Sequence, residues 1–141
     1  MSTLTPVTPF SVLGLSYKKA DAHIRGLFSL DQQGKTNLIK DAQAKGLKSL
    51  CVISTCNRTE IYAGTSDYDL LMDLMCAHTL GDKETLQKVA YFYADDLAID
   101  HLFNVGSGLD SQILGDFEII GQLKNSARLS KELGLMDAHL E

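Results

Sequence analysis

The order of strand-like and helix-like patterns constrains the fold of this chain more than any other feature of its sequence. Strand patterns, apolar and rich in β-branched or aromatic residues, occupy residues 10–16, 49–55, 59–64 and 88–93. Helical spacing separates the first strand from the second and the third from the fourth, whereas the second and third are only a few residues apart. We therefore predict a ferredoxin-like α+β domain of order β-α-β-β-α-β. This fold is an antiparallel sheet of four strands with helices on one face, and C-terminal helices follow it here.

Capping residues and glycines set the ends of the predicted helices. Residues 21–28 have helical spacing, and a longer helix is predicted to run to about Lys45. A last helix is predicted over residues 118–133, after a glycine-punctuated segment at 106–116. The residues placed to cap helices at their amino ends are Asp31, Ser66 or Asp67, and Asp95 with Asp96. The glycines placed to end helices are Gly46, Gly81 and Gly134.

Length, composition and charge limit the functions open to the chain. Its 141 residues suffice for one domain, and 45% apolar with 22% charged residues is typical of soluble globular proteins. The net charge of −5 excludes bulk attraction to nucleic acid, so an RNA contact needs a local basic patch. No apolar run is long enough to cross a bilayer, so no membrane partner is predicted. Two basic clusters are candidates, although each cluster taken alone is better explained as a solvated face: Lys18, Lys19 and Arg25, and Lys124, Arg128 and Lys131.

The cysteines indicate a reducing compartment. There are three, Cys51, Cys56 and Cys76, without a C-x-x-C pair, which argues against a disulfide scaffold and favours a cytoplasmic location. No metal site is predicted, because no set of four cysteine or histidine ligands has the usual spacing. Cys51 and Cys76 lie on apolar faces and are interpreted as small hydrophobic residues.

The segment "ISTCNRTEIY", residues 53–62, places a thiol and a guanidinium at the end of the second strand. Cys56 falls at a tight hairpin edge, where a thiol is accessible. Arg58 can favour the nucleophilic thiolate form of Cys56, or it can attract a substrate carboxylate. Because it carries a single positive charge, we expect it to serve mainly one of these two roles. The alternative is that Cys56 is an inert small residue. His101 lies on the apolar face of a helix, a pattern that taken alone favours a core histidine over a catalytic base.

Three blocks of the sequence resemble one protein family. They are "ISTCNRTEIY" (53–62), "HLFNVGSGLDSQILGDFEIIGQLK" (101–124) and, more loosely, "LGLSYKKADAHIRGLFSL" (13–30). The chain resembles the N-terminal domain of glutamyl-tRNA reductases. Of the three blocks, the first is the most specific for this family. Four positions depart from the family pattern: Tyr17, Asp21, Asp116 and Phe117. None of them lies in the cysteine block.

The resemblance implies an oxidoreductase of tetrapyrrole (porphyrin) biosynthesis. Such an enzyme takes glutamyl-tRNA as substrate, forms a glutamyl thioester at its cysteine and reduces it with NADPH to glutamate-1-semialdehyde. On the matching positions, Cys56 is the nucleophile and His101 lines the pocket near the reacting carbonyl. The residues implied to hold the glutamyl group are Thr55, Arg58, Ser111 and Gln122, with Arg58 on its side-chain carboxylate. Asn57 and Glu60 are assigned a scaffold role.

The resemblance also implies a domain organisation. Residues 10–135 are expected to form the N-terminal catalytic domain, after a flexible lead-in at 1–9 and before a tail at 136–141 that resembles a vector remnant. The NADPH and dimerisation domains of the family are expected to be absent, so this chain is expected to lack reductase activity by itself. The resemblance implies a homodimer for the full-length enzyme and glutamate-1-semialdehyde aminomutase as a partner.

Two other functional classes stay open. One is a non-catalytic interaction or regulatory module with the same fold. The other is a thiol redox sensor, which needs a resolving cysteine. Cys51 is the nearest candidate to Cys56, but it is predicted on the opposite face of the strand.

Overall fold

A computed structural model describes residues 9–106 of the chain. It contains a four-stranded sheet and five helices, in the following order along the chain: β1 (Ser11–Ser16), α1 (Ala22–Leu27), α2 (Gln32–Ala44), β2 (Leu50–Ser54), β3 (Arg58–Ala63), α3 (Tyr68–Ala77), α4 (Lys83–Val89), β4 (Tyr91–Ala94) and α5 (Asp96–Gly106). Several predictions lie outside the described residues: the lead-in at 1–8, the segment after Gly106, the helix at 118–133, the tail, Ser111 and Gln122.

The sheet has the strand order β2-β3-β1-β4, and every pair of neighbours is antiparallel. The predicted four-stranded antiparallel sheet is therefore confirmed. The central strand β1 pairs with β3 from Ser11↔Ala63 to Ser16↔Arg58. The short connection between β2 and β3 is a hairpin, in which the Thr55 amide donates to the Arg58 carbonyl at 2.8 Å.

Each face of the sheet carries its own apolar cluster, because successive side chains of a strand point to opposite faces. On one face, Leu13, Val52 and Ile61 pack with buried residues of helices α2, α3 and α4. On the other face, Val12 and Tyr62 pack with buried residues of α5. Helix α5 thus covers the face opposite the other helices, and the candidate site described below lies under it.

Aspartates begin four of the helices. The side chains of Asp21, Asp31, Asp67 and Asp82 each accept a hydrogen bond from the amide three residues on, at 2.7–3.0 Å. This is the usual N-cap contact, and it confirms the predicted caps at Asp31 and Asp67. Gly46, which follows α2, has φ of +93°, a conformation that favours glycine after a helix.

The predicted fourth strand at 88–93 begins too early. Residues Lys83–Val89 form α4, and β4 comprises only Tyr91–Ala94. Asp82 caps this helix, and Leu86 and Val89 are buried at helical spacing. The error arose because the apolar residues at the end of α4 run directly into the aromatic residues of β4.

Candidate active site around a buried carboxylate

The turn between β2 and β3 is organised by Thr55. Its hydroxyl oxygen accepts hydrogen bonds from the amides of Asn57 at 3.1 Å and Arg58 at 3.2 Å. A hydroxyl that bonds to nearby amides in this way stabilises a tight turn. The threonine of the sequence block therefore shapes the turn that carries the cysteine, and its contact with a glutamyl group stays a prediction.

Cys56 is exposed on this turn, whereas Cys51 and Cys76 are each partly buried. Two contacts fix the backbone around it. The Arg25 Nε donates to the Cys56 carbonyl at 3.0 Å, and the Tyr17 amide donates to the Asn57 carbonyl at 2.9 Å. The thiol thus belongs to a segment that is tied to α1 and to the loop after β1.

Arg58 and Glu60 form an ion pair inside the domain. Arg58 is 1% exposed and Glu60 is fully buried, and Nη1 of Arg58 donates to Oε2 of Glu60 at 3.2 Å. The two residues point to the same face of β3 because they are two positions apart. A substrate carboxylate can reach this guanidinium only after the side chains that cover it shift, and the role of Arg58 in substrate binding stays a prediction.

The Glu60 carboxylate accepts hydrogen bonds from four side chains. Oε1 accepts from the Tyr62 hydroxyl at 2.8 Å. Oε2 accepts from Arg58, from the Tyr91 hydroxyl at 2.5 Å and from Nε2 of His101 at 2.5 Å. These donors come from β3, β4 and α5, so the carboxylate joins both sheet and helix. A buried carboxylate with this many donors is well compensated for its loss of water.

The surroundings of Glu60 keep it ionised. Burial by itself raises the pKa of its carboxyl, but the hydrogen bond and charge of His101 and the charge of Arg58 outweigh burial. The net result is a pKa below the ordinary glutamate value. Burial and the neighbouring Glu60 charge raise the pKa of Tyr62 far above that of a free tyrosine, so its phenol stays protonated and donates.

Gly14 makes room for this cluster. It lies opposite Glu60 on one side and opposite Tyr91 on the other. A Cβ at this position would stand 2.7 Å from Cγ of Glu60 and 3.1 Å from the Tyr91 hydroxyl. A glycine inside a strand often marks such a close approach.

His101 connects the buried carboxylate to an open cleft. The cleft has a volume of about 830 Å³ and lies between α5, β4 and the loop after β1. Its lining includes Ser16, Lys18, Lys19, Tyr91, Asp100 and His101. The His101 ring is also 5.1 Å from the rings of Tyr91 and Tyr93, measured between centroids. Within residues 9–106, Cys56 is not part of this lining, but its turn is hydrogen-bonded to the loop that is.

Comparison with known proteins identifies the family. The family described as glutamyl-tRNAGlu reductase, N-terminal domain, matches residues 13–141. The chain belongs to this family. It is 51% identical over 140 residues to a glutamyl-tRNA reductase of Flavobacterium psychrophilum, covering 99% of this chain and 34% of that protein. It is 54% identical over 132 residues to the one of Christiangramia forsetii, covering 94% of this chain and 32% of that protein.

A solved structure of the family has a similar fold. The glutamyl-tRNA reductase from Methanopyrus kandleri superposes with a TM-score of 0.58 at 25% identity, covering 92% of this chain and 30% of that protein. The chain thus spans about a third of the length of the relatives it matches. The resemblance expected from the sequence blocks is confirmed.

The structure brings some of the predicted site residues of this glutamyl-tRNA reductase domain together. Arg58 and His101 meet on the same oxygen of Glu60, and Thr55 and Cys56 share the adjacent turn. Ser111 and Gln122 lie outside the described residues.

Glu60, for which the sequence predicts only a scaffold role, accepts hydrogen bonds from four side chains in the structure. Two signals in the sequence pointed to it. One is the alternation of Arg58, Glu60 and Tyr62 along one strand face, and the other is Gly14 inside the strand that pairs with it.

Within residues 9–106, no group of three or more histidine, cysteine, aspartate or glutamate side chains is arranged to hold a metal ion. In the same part of the chain, no helix has both the length and the apolar character needed to cross a membrane.

Proposed function

We propose that this chain is the catalytic domain of an NADPH-dependent glutamyl-tRNA reductase of tetrapyrrole biosynthesis, with Cys56 as its nucleophile. The observation that carries the proposal is the place of Cys56. It is exposed on a turn that is hydrogen-bonded to the loop lining the His101 cleft. Family membership supplies the reaction class, and the strand order supports the finer ferredoxin-like topology.

The proposed reaction of this domain is an acyl transfer. The Cys56 thiolate attacks the carbonyl carbon of the ester that joins glutamate to the terminal ribose of the tRNA. A carbon–sulfur bond forms, the carbon–oxygen bond to the ribose breaks, and the ribose oxygen leaves as a hydroxyl after accepting a proton. The products are a glutamyl thioester and free tRNA, and nothing is oxidised or reduced in this step. His101 is the group we assign to proton handling at the cleft.

Charge in the cleft supports binding of the tRNA end. Lys18 and Lys19 are exposed and line the cleft beside His101. They provide the local basic patch that a chain of net charge −5 needs in order to contact phosphates. We assign recognition of the glutamyl group to Thr55, Arg58, Ser111 and Gln122, as the family pattern implies.

The described residues do not fit NADPH. Dinucleotide sites use a glycine-rich turn between a strand and a helix of a parallel sheet. Here the sheet is antiparallel, and the turn after β1 carries Tyr17, Lys18 and Lys19 instead of glycines. We therefore derive no hydride step from residues 9–106. The proposal assigns reduction and homodimer formation to the rest of the full-length protein, and it includes the aminomutase partner and the cytoplasmic location.

The test is direct detection of the thioester. Incubating this chain with glutamyl-tRNA, quenching in acid and measuring the intact mass should show one added glutamyl group, mapped to Cys56 by peptide analysis. Adding NADPH should not change the yield. The variant Cys56→Ser should lose the adduct while keeping its circular dichroism spectrum.

Cys76→Ser is the matched control. Burial and the nearby Asp73 and Asp82 carboxylates raise the pKa of the Cys76 thiol, so it is a poor nucleophile. This variant should keep the adduct. Labelling that persists in Cys56→Ser, or no adduct on the unaltered chain, would contradict acyl transfer to Cys56 and favour an interaction or regulatory module.

A further inference from the structure

We propose that Glu60 is a positioning residue for His101: its carboxylate holds the imidazole with the proton on Nε2, so that Nδ1 is the nitrogen that handles a proton in the cleft. The functional half of this inference rests on the proposed acyl transfer to Cys56. The structural half concerns only the state of the His101 ring, and it can be tested separately.

The contact between the two residues fixes which nitrogen carries the proton. Nε2 of His101 lies 2.5 Å from Oε2 of Glu60, closer than the roughly 2.7–2.9 Å usual for a charge-assisted hydrogen bond from nitrogen to a carboxylate. An ionised carboxylate only accepts hydrogen bonds. Since Glu60 is held ionised by its surroundings, the proton of this bond belongs to Nε2.

The carboxylate cannot easily turn away from the ring. The Tyr62 hydroxyl occupies Oε1, while Arg58 and the Tyr91 hydroxyl share Oε2 with His101. Gly14 leaves no free volume behind it, because a Cβ there would already stand 2.7 Å from Cγ of Glu60. Glu60 is therefore a fixed acceptor, which is what an orienting partner of a functional histidine requires.

The ring itself is also held in place. Tyr91 and Tyr93 lie 5.1 Å from it and Tyr62 lies 6.5 Å away, measured between ring centroids. Among the described residues, Nδ1 of His101 has no hydrogen-bond partner. Because His101 also lines the cleft, Nδ1 is the ring nitrogen left for a group bound there.

The first experiment is ¹⁵N NMR of this chain with labelled histidine. We expect the proton bonded to Nε2 of His101 to exchange slowly with water and to give a downfield resonance. This resonance should be lost in Glu60→Gln or Glu60→Ala. The variant Tyr62→Phe, which removes the donor from the other carboxylate oxygen, should keep the resonance. A His101 ring protonated on Nδ1 alone would overturn the proposal, and the unaltered chain decides this even if a Glu60 variant fails to fold.

The second experiment measures thioester formation in a single turnover. In Glu60→Gln we expect the rate constant to fall on the order of tenfold to a hundredfold, the range known for outer-shell partners that orient metal-binding histidines. The half-saturating concentration of glutamyl-tRNA should change little, because Glu60 does not reach the cleft. The double variant Glu60→Gln/His101→Asn should be no slower than His101→Asn, since the two residues act as a unit.

The two possible failures are distinguishable. If the unaltered chain forms no thioester, the proposed function fails, while the NMR result still decides the state of the ring. If the unaltered chain forms the thioester and a folded Glu60→Gln forms it at the same rate, the positioning role is overturned and acyl transfer stands.

Discussion

Arg58 and Glu60 are the charged side chains that the described part of the domain buries completely. Taking either charge out of water alone is costly, and their mutual contact with further hydrogen bonds offsets that cost. The contribution of Arg58 and Glu60 to the stability of the fold therefore depends on both residues, because removing either one leaves the other charge buried without its partner in the pair. This makes the residues of the cysteine block as important for the fold as for any chemistry.

Replacing Arg58 with Met should destabilise the domain severely. The change keeps most of the side-chain volume but leaves the Glu60 carboxylate buried without its guanidinium. We expect a loss on the order of 3–5 kcal/mol in the free energy of unfolding, measured by urea denaturation at neutral pH. The matched control is Lys83→Met, which breaks an exposed pair with Asp73 at 3.3 Å and should cost less than about 1 kcal/mol. Equal losses in the two variants would contradict the account of the buried pair.

The role of Glu60 lay beyond what sequence patterns alone can predict. Alternation along β3 places Arg58, Glu60 and Tyr62 on one face, and this much was readable from the sequence. The donors Tyr91 and His101 lie 31 and 41 positions further along the chain, so their arrival at one oxygen depends on sheet order and on the docking of α5. By contrast, exposure of Cys56 follows from a local feature, the tight hairpin.

Among the elements, strand β1 limits the size of the site. It is the central strand, buried along its whole length, and Gly14 is the position where it passes Glu60 and Tyr91. The absence of a side chain there lets the carboxylate and the phenol approach the same point. A strand glycine is ordinarily unfavourable, and here the space it leaves accommodates the charged cluster.

Gly14→Ala should disrupt the cluster without altering any charge. Its Cβ would lie 2.9 Å from the Thr59 carbonyl oxygen as well as 2.7 Å from Cγ of Glu60, so backbone and side chain must both move. We expect a loss of about 1–3 kcal/mol in thermal or urea unfolding, typical of overpacking. Gly26→Ala is the control, since a Cβ there meets nothing within 4 Å. That helix position should gain up to about 1 kcal/mol. A neutral effect of Gly14→Ala would show that the cluster has spare room.

The elements were predictable wherever a local signal defined them. Apolar patterns identified β1, β2 and β3, and aspartate caps identified the starts of α2 and α3. Helix α4 was missed because its short amphipathic pattern merges with β4, although Asp82 caps it in the same way. The side of the sheet that α5 covers depends on tertiary packing, which no local signal encodes.

At the scale of the whole molecule, the sheet divides the domain into two layers with different tasks. The larger apolar cluster lies between the sheet and helices α2, α3 and α4, and it is built almost wholly from hydrophobic side chains. The smaller cluster under α5 borders the buried ion pair and the cleft. The donors to the Glu60 carboxylate lie on strands and on a helix, and sites built on such rigid elements are held more precisely than sites on loops.

The free energy of unfolding should depend on pH through the ionisation of Glu60. Its pKa in the folded protein lies below the ordinary value of 4.5, so the unfolded chain binds a proton more readily than the folded one. The contribution of Glu60 is present above about pH 4.5 and is lost as the pH falls through the folded pKa. Protonating Glu60 also removes the negative charge that faces the buried Arg58 guanidinium, which adds to the loss.

Urea unfolding of the unaltered chain and of Glu60→Gln, compared between about pH 7 and pH 3, measures this contribution. The unaltered chain should be the more stable at neutral pH and should lose stability more steeply below about pH 4.5, because only it carries the titrating carboxylate. Asp41→Asn is the control, since the pKa of Asp41 is lowered first by an exposed contact with Lys45 and then by a part-buried one with His78, and screening by solvent weakens contacts near the surface. Its curve should follow that of the unaltered chain closely. Parallel curves for the unaltered chain and Glu60→Gln would mean that other carboxylates set the acid sensitivity, and that the buried cluster is not the group through which pH acts on this fold.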